Sequence, residues 1–237
     1  PFDSTAVDLL EDLNTPAYKI ASFELVDLPL IKYAASTRKP MILSTGMADI
    51  EEIQEAIDAA HEGGCKELAI LHCVSGYPAP AEDYNLRIIP DMIERFGLVT
   101  GLSDHTLDNT TAITSIAMGA SIIEKHFTLD RSRGGPDDSF SLEPEELRHL
   151  CEDSKAGWES LGEVNYERKE SEKENVKFRR SLYVVKDIKA GEIITKENVK
   201  SIRPGFGLAP KFYEQVLGCV VTRTIRRGTP LSLEYFK

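Results

Sequence analysis

The apolar positions of residues 1 to about 162 repeat one unit, a short apolar strand, a polar turn and an amphipathic helix. The pattern predicts strands at 17–22, 41–44, 68–73, 98–102 and 121–127, with the stub of an earlier strand at Pro1–Phe2. Helices are predicted at 5–13 (capped by Ser4 or Thr5), 28–36, 50–62, 88–96, 109–118 and 144–161. Regular alternation with nearly continuous apolar strands predicts a parallel sheet covered on both faces.

A doubly wound open sheet and a (β/α)8 barrel both fit this alternation. A dinucleotide-binding fold would carry GxGxxG after its first strand, and the chain has none. Polar residues instead follow nearly every strand, as at the catalytic rim of a barrel. Counting the stub gives six strand–helix units, whereas a full barrel runs to about 250 residues. We therefore expect an α/β (TIM) barrel over residues 1–162 that lacks about two units, roughly 90 residues, upstream.

The pattern changes after the barrel. Residues 163–177 are dense in Glu and Lys and predict a solvated linker, or else an extension of the last helix. Residues 178–237 predict a small β-rich module, with strands at 181–185 and 219–222. Ile188, Gly191, Ile194, Thr195 and Glu197 recur 37 positions later as Ile225, Gly228, Leu231, Ser232 and Glu234. This repeat indicates two similar halves. Between them, Arg203 lies in a glycine-rich turn, which is either a surface loop or a guanidinium for a carboxylate or sugar.

Charge and composition narrow the class of partner. A net charge of −11 argues against non-specific nucleic-acid binding, although an anionic small ligand remains compatible with a locally basic cleft. No run approaches the ~18 apolar residues of a membrane span. The four cysteines lack CxxC spacing, so we expect reduced thiols in a cytoplasmic protein.

Two neighbouring strands each end in a histidine. His105 follows Gly101–Asp104, and His126 follows Ile122–Lys125, with one crossover helix between them. Parallel strands would bring both imidazoles to one point, where they could bind a divalent metal. Two unrelated histidines are the alternative, because no short-spaced ligand pair such as HExxH is present.

Motifs along the whole chain resemble the sialic acid synthase family, whose members condense phosphoenolpyruvate with an amino sugar. They are YKIASFE (Tyr18–Glu24), ILSTGM (Ile42–Met47), ILHC (Ile70–Cys73), GYP (Gly76–Pro78), GLSDHT (Gly101–Thr106), EKHF (Glu124–Phe127), GGPDD (Gly134–Asp138) and RPGFG (Arg203–Gly207). The resemblance implies a TIM barrel followed by an antifreeze-protein-like (SAF) domain.

Within this family, four segments look most like pseudaminic acid synthases. They are SFE at Ser22–Glu24, DDSFSLEPEE at Asp137–Glu146, FRRSLY at Phe178–Tyr183 and RPGFGLAPKFY at Arg203–Tyr213. The expected acceptor is 2,4-diacetamido-2,4,6-trideoxy-altropyranose. N-acetylneuraminate or legionaminate synthesis, from N-acetylmannosamine or a diacetamido-mannose, is the alternative, since the branches share their catalytic motifs.

The resemblance also implies residue roles. His105 and His126 match the metal ligands, usually for Mn²⁺, with Mg²⁺ or Co²⁺ possible, and Glu24 matches a catalytic carboxylate. The positions that match phosphoenolpyruvate-binding residues are Lys19, Ser22, Ser44, Ser75 and Ser103, although many relatives have Asn in place of Ser75. Tyr77, Asp137 and Arg203 match sugar-side positions. Arg203 matches an arginine that reaches the barrel of the other protomer, which implies a domain-swapped homodimer.

The chain also departs from the family pattern. The family's first strands carry a glutamate near the metal and a lysine for phosphoenolpyruvate, and neither is expected here if the chain starts at the third strand. A non-catalytic, polysaccharide-binding remnant of such a synthase therefore stays open as a rival hypothesis. A metal-dependent aldolase on the same fold is more distant, because it would need neither the C-terminal module nor Arg203.

Overall fold

The computed structural model describes residues 1–236. The chain forms two compact units, Pro1–Glu163 and Val164–Lys237, and each is described by itself. Among the described residues, none of the helices combines the length and the apolar character that crossing a bilayer requires.

The first unit is a five-stranded parallel sheet with strands in sequence order, flanked by helices. The strands are β1 (Tyr18–Ile20), β2 (Met41–Ser44), β3 (Leu68–Cys73), β4 (Val99–Asp104) and β5 (Ile123–Lys125). The helices are α1 (Ser4–Asp12), α2 (Leu28–Ala35), α3 (Ile50–Gly63), α4 (Ile88–Phe96), α5 (Thr110–Ala117) and α6 (Pro144–Leu161). All six are within two residues of their predicted ends, because apolar spacing marks their buried faces.

The sheet is parallel because each strand is separated from the next by a helical crossover. All six residues of β3 are buried, as expected for a strand covered on both faces. Sequence order and parallel pairing place the carboxyl end of every strand at the same edge of the sheet.

Two predictions at the N-terminus were wrong. Pro1–Phe2 forms no strand, so the first unit has five strands and not six. The cap of α1 is Asp3, whose carboxylate accepts a hydrogen bond from the Ala6 amide at 2.9 Å, and not Ser4 or Thr5. Asp at this position satisfies an amide that the first turn leaves unpaired, so the helix begins one residue earlier.

The second unit is small and mostly irregular. Its regular elements are the helices α7 (Glu170–Lys173) and α8 (Tyr213–Val216) and the antiparallel strands β6 (Ser181–Val184) and β7 (Val199–Ile202). Helix α7 and the 3-10 turn Glu174–Phe178 occupy most of the segment predicted as linker. The strand predicted at 219–222 is absent, since Val220 and Val221 make isolated bridges to different partners.

The internal repeat is visible in the second unit. Ile188 and Ile225 pair with each other in an antiparallel bridge, and both side chains are buried. Gly191 and Gly228 have φ values of 88° and 87°, a left-handed conformation that favours glycine. The prediction of two similar halves is confirmed, because equivalent residues occupy equivalent turns and share one core.

Close packing of β4 against the edge of β5 yields a stability prediction. A Cβ added at Gly101 would lie 2.4 Å from the Ile122 carbonyl oxygen and 2.7 Å from Leu71 Cδ2. We expect Gly101→Ala to lower the free energy of unfolding by about 1–3 kcal/mol, because the clash is partly with backbone. Urea denaturation measures the change.

Gly157→Ala is the matched control, because Gly157 lies within α6 and an added Cβ would make only an ordinary 3.6 Å contact with Ile113. It should raise the free energy of unfolding by about 0.5–1 kcal/mol. A Gly101→Ala chain as stable as the parent would contradict the packing described for β4 and β5.

Candidate active site

The predicted barrel-side residues lie at the carboxyl ends of the strands. The first strand and the turn after it carry Lys19, Ser22 and Glu24; Ser44 ends β2; Ser75 and Tyr77 follow β3; Ser103 and His105 lie at the end of β4; and His126 follows β5. Active sites of (β/α)8 barrels lie at this edge, because the loops there present side chains from several strands to one point.

The two histidines lie together. Their ring centroids are 5.2 Å apart, and the Tyr77 ring packs 4.3 Å from that of His105. His105 Nδ1 hydrogen-bonds the Val74 carbonyl at 2.8 Å, and its backbone N–H donates to the Tyr84 hydroxyl at 2.6 Å. Such contacts fix the orientation of an imidazole and leave Nε2 for a ligand.

The surroundings shift the pKa values of the two histidines in opposite directions. Burial and the neighbouring His105 lower the pKa of His126. Burial also opposes protonation of His105, but the Cys73 thiol and the Val74 carbonyl outweigh it and raise the pKa of His105 above its usual value. A neutral His126 at pH 7 is the form that binds metals.

Serine hydroxyls line the edge between β1 and β3. Ser22 Oγ accepts a hydrogen bond from the Gly46 amide at 3.1 Å. A Cβ at Gly46 would lie 2.3 Å from Ser75 Oγ, so only glycine allows these groups to converge. Ser44 Oγ and Ser75 Oγ are buried, and neither has a hydrogen-bond partner within residues 1–236. Buried unpartnered hydroxyls are costly in isolation, and a bound oxyanion would satisfy them.

Glu124 is a site residue that sequence reasoning did not assign. Its Oε1 accepts a hydrogen bond from Ser103 Oγ at 2.8 Å and lies 3.3 Å from Lys19 Nζ. Lys19 is on β1 and Glu124 on β5, so the ion pair joins the first and last strands of the sheet. The available signal was its place in the EKHF motif, two residues before His126.

Some of the residues predicted to contact the sugar lie beside the two histidines. Asp137 Oδ2 lies 3.6 Å from His126 Nδ1, and Phe140, which no sequence signal marked, packs 5.0 Å from the His126 ring. Glu24 Oε2 is buried without a partner in the described chain. Arg203 belongs to the second unit, where its side chain is exposed, and its role stays a prediction.

His72 is a packed core histidine and not part of the candidate site. It is buried in β3, and its Nε2 contacts the Tyr84 carbonyl oxygen. Burial lowers the pKa of His72, so the ring is neutral and structural.

The donor set fits a divalent metal in part. Two imidazoles at one point supply two ligands, and imidazole suits transition metals better than Mg²⁺. Within residues 1–236, no group of three or more His, Cys, Asp or Glu side chains is arranged to hold a metal. His105 and His126 would therefore hold the ion together with oxygens from water or substrate.

The sequence matches the models of two known protein families. The model of the NeuB family matches residues 1–166, and that of the SAF domain matches residues 179–236. The chain belongs to the NeuB family. This NeuB-family chain is 44% identical over 236 residues to a pseudaminic acid synthase of Helicobacter pylori, covering 99% of the chain and 69% of that protein. It is 40% identical to an N,N'-diacetyllegionaminic acid synthase of Campylobacter jejuni, covering 95% and 69%.

Solved structures of similar proteins have the same fold. The spore coat polysaccharide biosynthesis protein SpsE of Bacillus subtilis matches with a TM-score of 0.65 and 34% identity, covering 99% of this chain and 71% of that one. An N-acetylneuraminic acid synthetase of Leptospira borgpetersenii, in complex with citrate, matches with a TM-score of 0.69 and 34% identity, covering 74% and 61%. The predicted fold class, an incomplete TIM barrel followed by a SAF domain, is confirmed.

The hydroxyls and Lys19 together predict an anion site. Lys19→Met should weaken the binding of inorganic phosphate about tenfold or more, because a charge-assisted hydrogen bond is lost. Glu124→Gln should strengthen it, because a negative charge beside the anion is removed. Isothermal titration calorimetry measures both affinities.

Lys39→Met is the matched control. Lys39 also pairs with a carboxylate, Glu11 at 2.7 Å, but it precedes β2 at the amino end of that strand. It should leave phosphate affinity unchanged. Equal losses in the two lysine variants would contradict an anion site at the carboxyl edge.

Proposed function

We propose that this chain catalyses the condensation of phosphoenolpyruvate with a 2-acetamido sugar in its aldehyde form, and that the product is pseudaminic acid. Its relatives are pseudaminic, legionaminic and sialic acid synthases, which supports a synthase of the transferase class. The observation that carries the proposal is the edge with Lys19 and the unpartnered hydroxyls of Ser44 and Ser75 beside two converging histidines. Lys19 and the serine hydroxyls suit a phosphate and a carboxylate, and the two histidines suit a metal that would bind an aldehyde oxygen.

The chain's own residues orient the two reactants. Lys19 and the serines Ser22, Ser44, Ser75 and Ser103 hold the phosphate and carboxylate of phosphoenolpyruvate. The C3 carbon of phosphoenolpyruvate then bonds to the aldehyde carbon of the sugar. The aldehyde oxygen takes a proton and becomes a hydroxyl. Water adds to C2 and gives up a proton, and the tetrahedral intermediate expels phosphate. Glu24, whose buried Oε2 lacks a partner in the described residues, donates the proton to the aldehyde oxygen and takes one back from the added water.

His105 and His126 would hold a divalent metal, with Mn²⁺ the first candidate and Mg²⁺ or Co²⁺ the alternatives. When bound, such an ion supplies Lewis-acid polarisation of the aldehyde. Tyr77 and Asp137 border the histidines and face the sugar side. The Tyr77 ring, packed on His105, covers one side of the imidazole and limits water there.

A homodimer in which Arg203 reaches the barrel of the other protomer is part of the proposal. Charge supports it. Residues 179–236 carry eleven Lys and Arg against five Asp and Glu, whereas residues 1–178 carry sixteen against thirty-four. Opposite charge on the two parts favours docking of the basic SAF domain on an acidic surface of a second copy.

The identity of the acceptor rests on sequence likeness. Identity to the pseudaminic acid synthases is 39–44%, and to the Campylobacter legionaminic acid synthase 40%. These ranges overlap, so legionaminate synthesis is the second candidate. We place the reaction in the cytoplasm, where phosphoenolpyruvate is produced.

The test follows phosphate release from phosphoenolpyruvate with Mn²⁺, using the chain in its complete open reading frame. Three acceptors are compared: 2,4-diacetamido-2,4,6-trideoxy-altropyranose, the corresponding diacetamido-mannose and N-acetylmannosamine. We expect release with the first and at least tenfold less with the others. A His105→Ala/His126→Ala variant is the inactive control.

Release with the diacetamido-mannose or with N-acetylmannosamine instead would move the chain to the legionaminate or neuraminate branch and keep the mechanism. No release with any acceptor from a folded, metal-loaded protein would contradict the synthase proposal and favour a non-catalytic remnant.

A further inference from the structure

A buried ion pair lies directly behind the two histidines. Lys125 Nζ is 3.1 Å from Asp104 Oδ2, and the two side chains are 3% and 0% exposed. The ammonium also donates to the carbonyl oxygens of Thr106 at 2.7 Å and Asp108 at 2.9 Å. Every other ion pair found within residues 1–236 is more exposed than this one. Burial of two charges is costly, so a pair like this calls for a reason beyond stability.

The position of the ion pair at the strand ends suggests such a reason. Asp104 and Lys125 are directly opposite each other in the parallel register of β4 and β5, at the last position of both strands. Asp104 immediately precedes His105, and Lys125 immediately precedes His126. Because successive residues of a strand face opposite sides, the ion pair and the histidine pair lie on opposite faces of the same strand ends.

The pair also holds the backbone on both sides of His105. Asp104 Oδ1 accepts a hydrogen bond from the Thr106 amide at 2.8 Å, while Lys125 binds the Thr106 carbonyl. His105 is thus enclosed between two residues that the same ion pair fixes. The ladder of β4 and β5 ends at Asp104 and Lys125, so within residues 1–236 no further pairing between these two strands aligns the histidines with each other.

We propose that Asp104 and Lys125 are positioning residues that set the distance and orientation of the His105 and His126 rings. The inference rests on the proposed function in one respect, that the ring pair binds a divalent metal. A shift of one strand end relative to the other would separate the two rings. The ion pair opposes this shift, because it would leave two buried charges without a partner.

The experiment separates positioning from stability. Lys125→Met leaves Asp104 buried and unpaired and should lower the thermal midpoint. Asp104→Leu combined with Lys125→Met removes both charges, and apolar replacement of a buried pair restores stability. We expect the double variant to melt near the parent. Lys39→Met, which breaks the partly exposed pair with Glu11, is the control for loss of a lysine.

Two readouts follow the histidines. In aromatic NMR spectra of the parent, the His105 ring should show nuclear Overhauser contacts to the Tyr77 and His126 rings, whose centroids lie 4.3 and 5.2 Å away. We expect the double variant to lose the contact between the histidines and to bind Mn²⁺ about tenfold or more weakly. The Lys39→Met variant should keep both.

A double variant with parental stability, ring contacts and Mn²⁺ affinity would overturn the proposal and leave the pair a stabilising contact only. Absence of Mn²⁺ binding by the parent would instead contradict the proposed metal site. The ring contacts would then decide the positioning role by themselves, with their retention in the double variant overturning it.

Discussion

Parallel pairing of β4 with β5 is the constraint on which the candidate site depends. The register sets Ser103 opposite Glu124 and Asp104 opposite Lys125, and the next residue along each strand is a histidine. The strands approach closely only because Gly101 has no side chain to meet the Ile122 carbonyl. One short ladder therefore positions the Ser103 hydroxyl, the Glu124 carboxylate and both imidazoles. The ladder is parallel because helix α5 connects the two strands.

Charge at the strand ends explains how an acidic chain can receive an anionic substrate. Lys19 and Glu124 neutralise each other across the sheet, so the edge carries a cation without a large local field. An incoming phosphate would compete with Glu124 for Lys19 and gain the buried hydroxyls of Ser44 and Ser75. The net charge of −11 thus argues against non-specific nucleic-acid binding without excluding phosphoenolpyruvate, because local groups decide what a cleft binds.

Apolar periodicity was sufficient to predict the helices and a parallel sheet, and the polar residues that follow the strands indicated a barrel and the edge at which they meet. Local pattern could not predict contacts across the sheet. The pairing of Lys19 with Glu124 depends on the arrangement of five strands, and the packing of Phe140 on His126 depends on a loop without periodicity. Short segments also misled the prediction. Pro1–Phe2 has no paired neighbour, and residues 219–222 form single bridges because the second unit is built from turns around a small core.

The most direct test of the central claim is a crystal structure of the protein grown with Mn²⁺ and phosphoenolpyruvate, with the metal located by its anomalous scattering. The site described here predicts one manganese peak bonded to His105 and His126, with the phosphate of the ligand against Lys19 and the serines at the strand ends. Manganese bound away from both histidines, or phosphoenolpyruvate bound away from the carboxyl edge of the sheet, would contradict it.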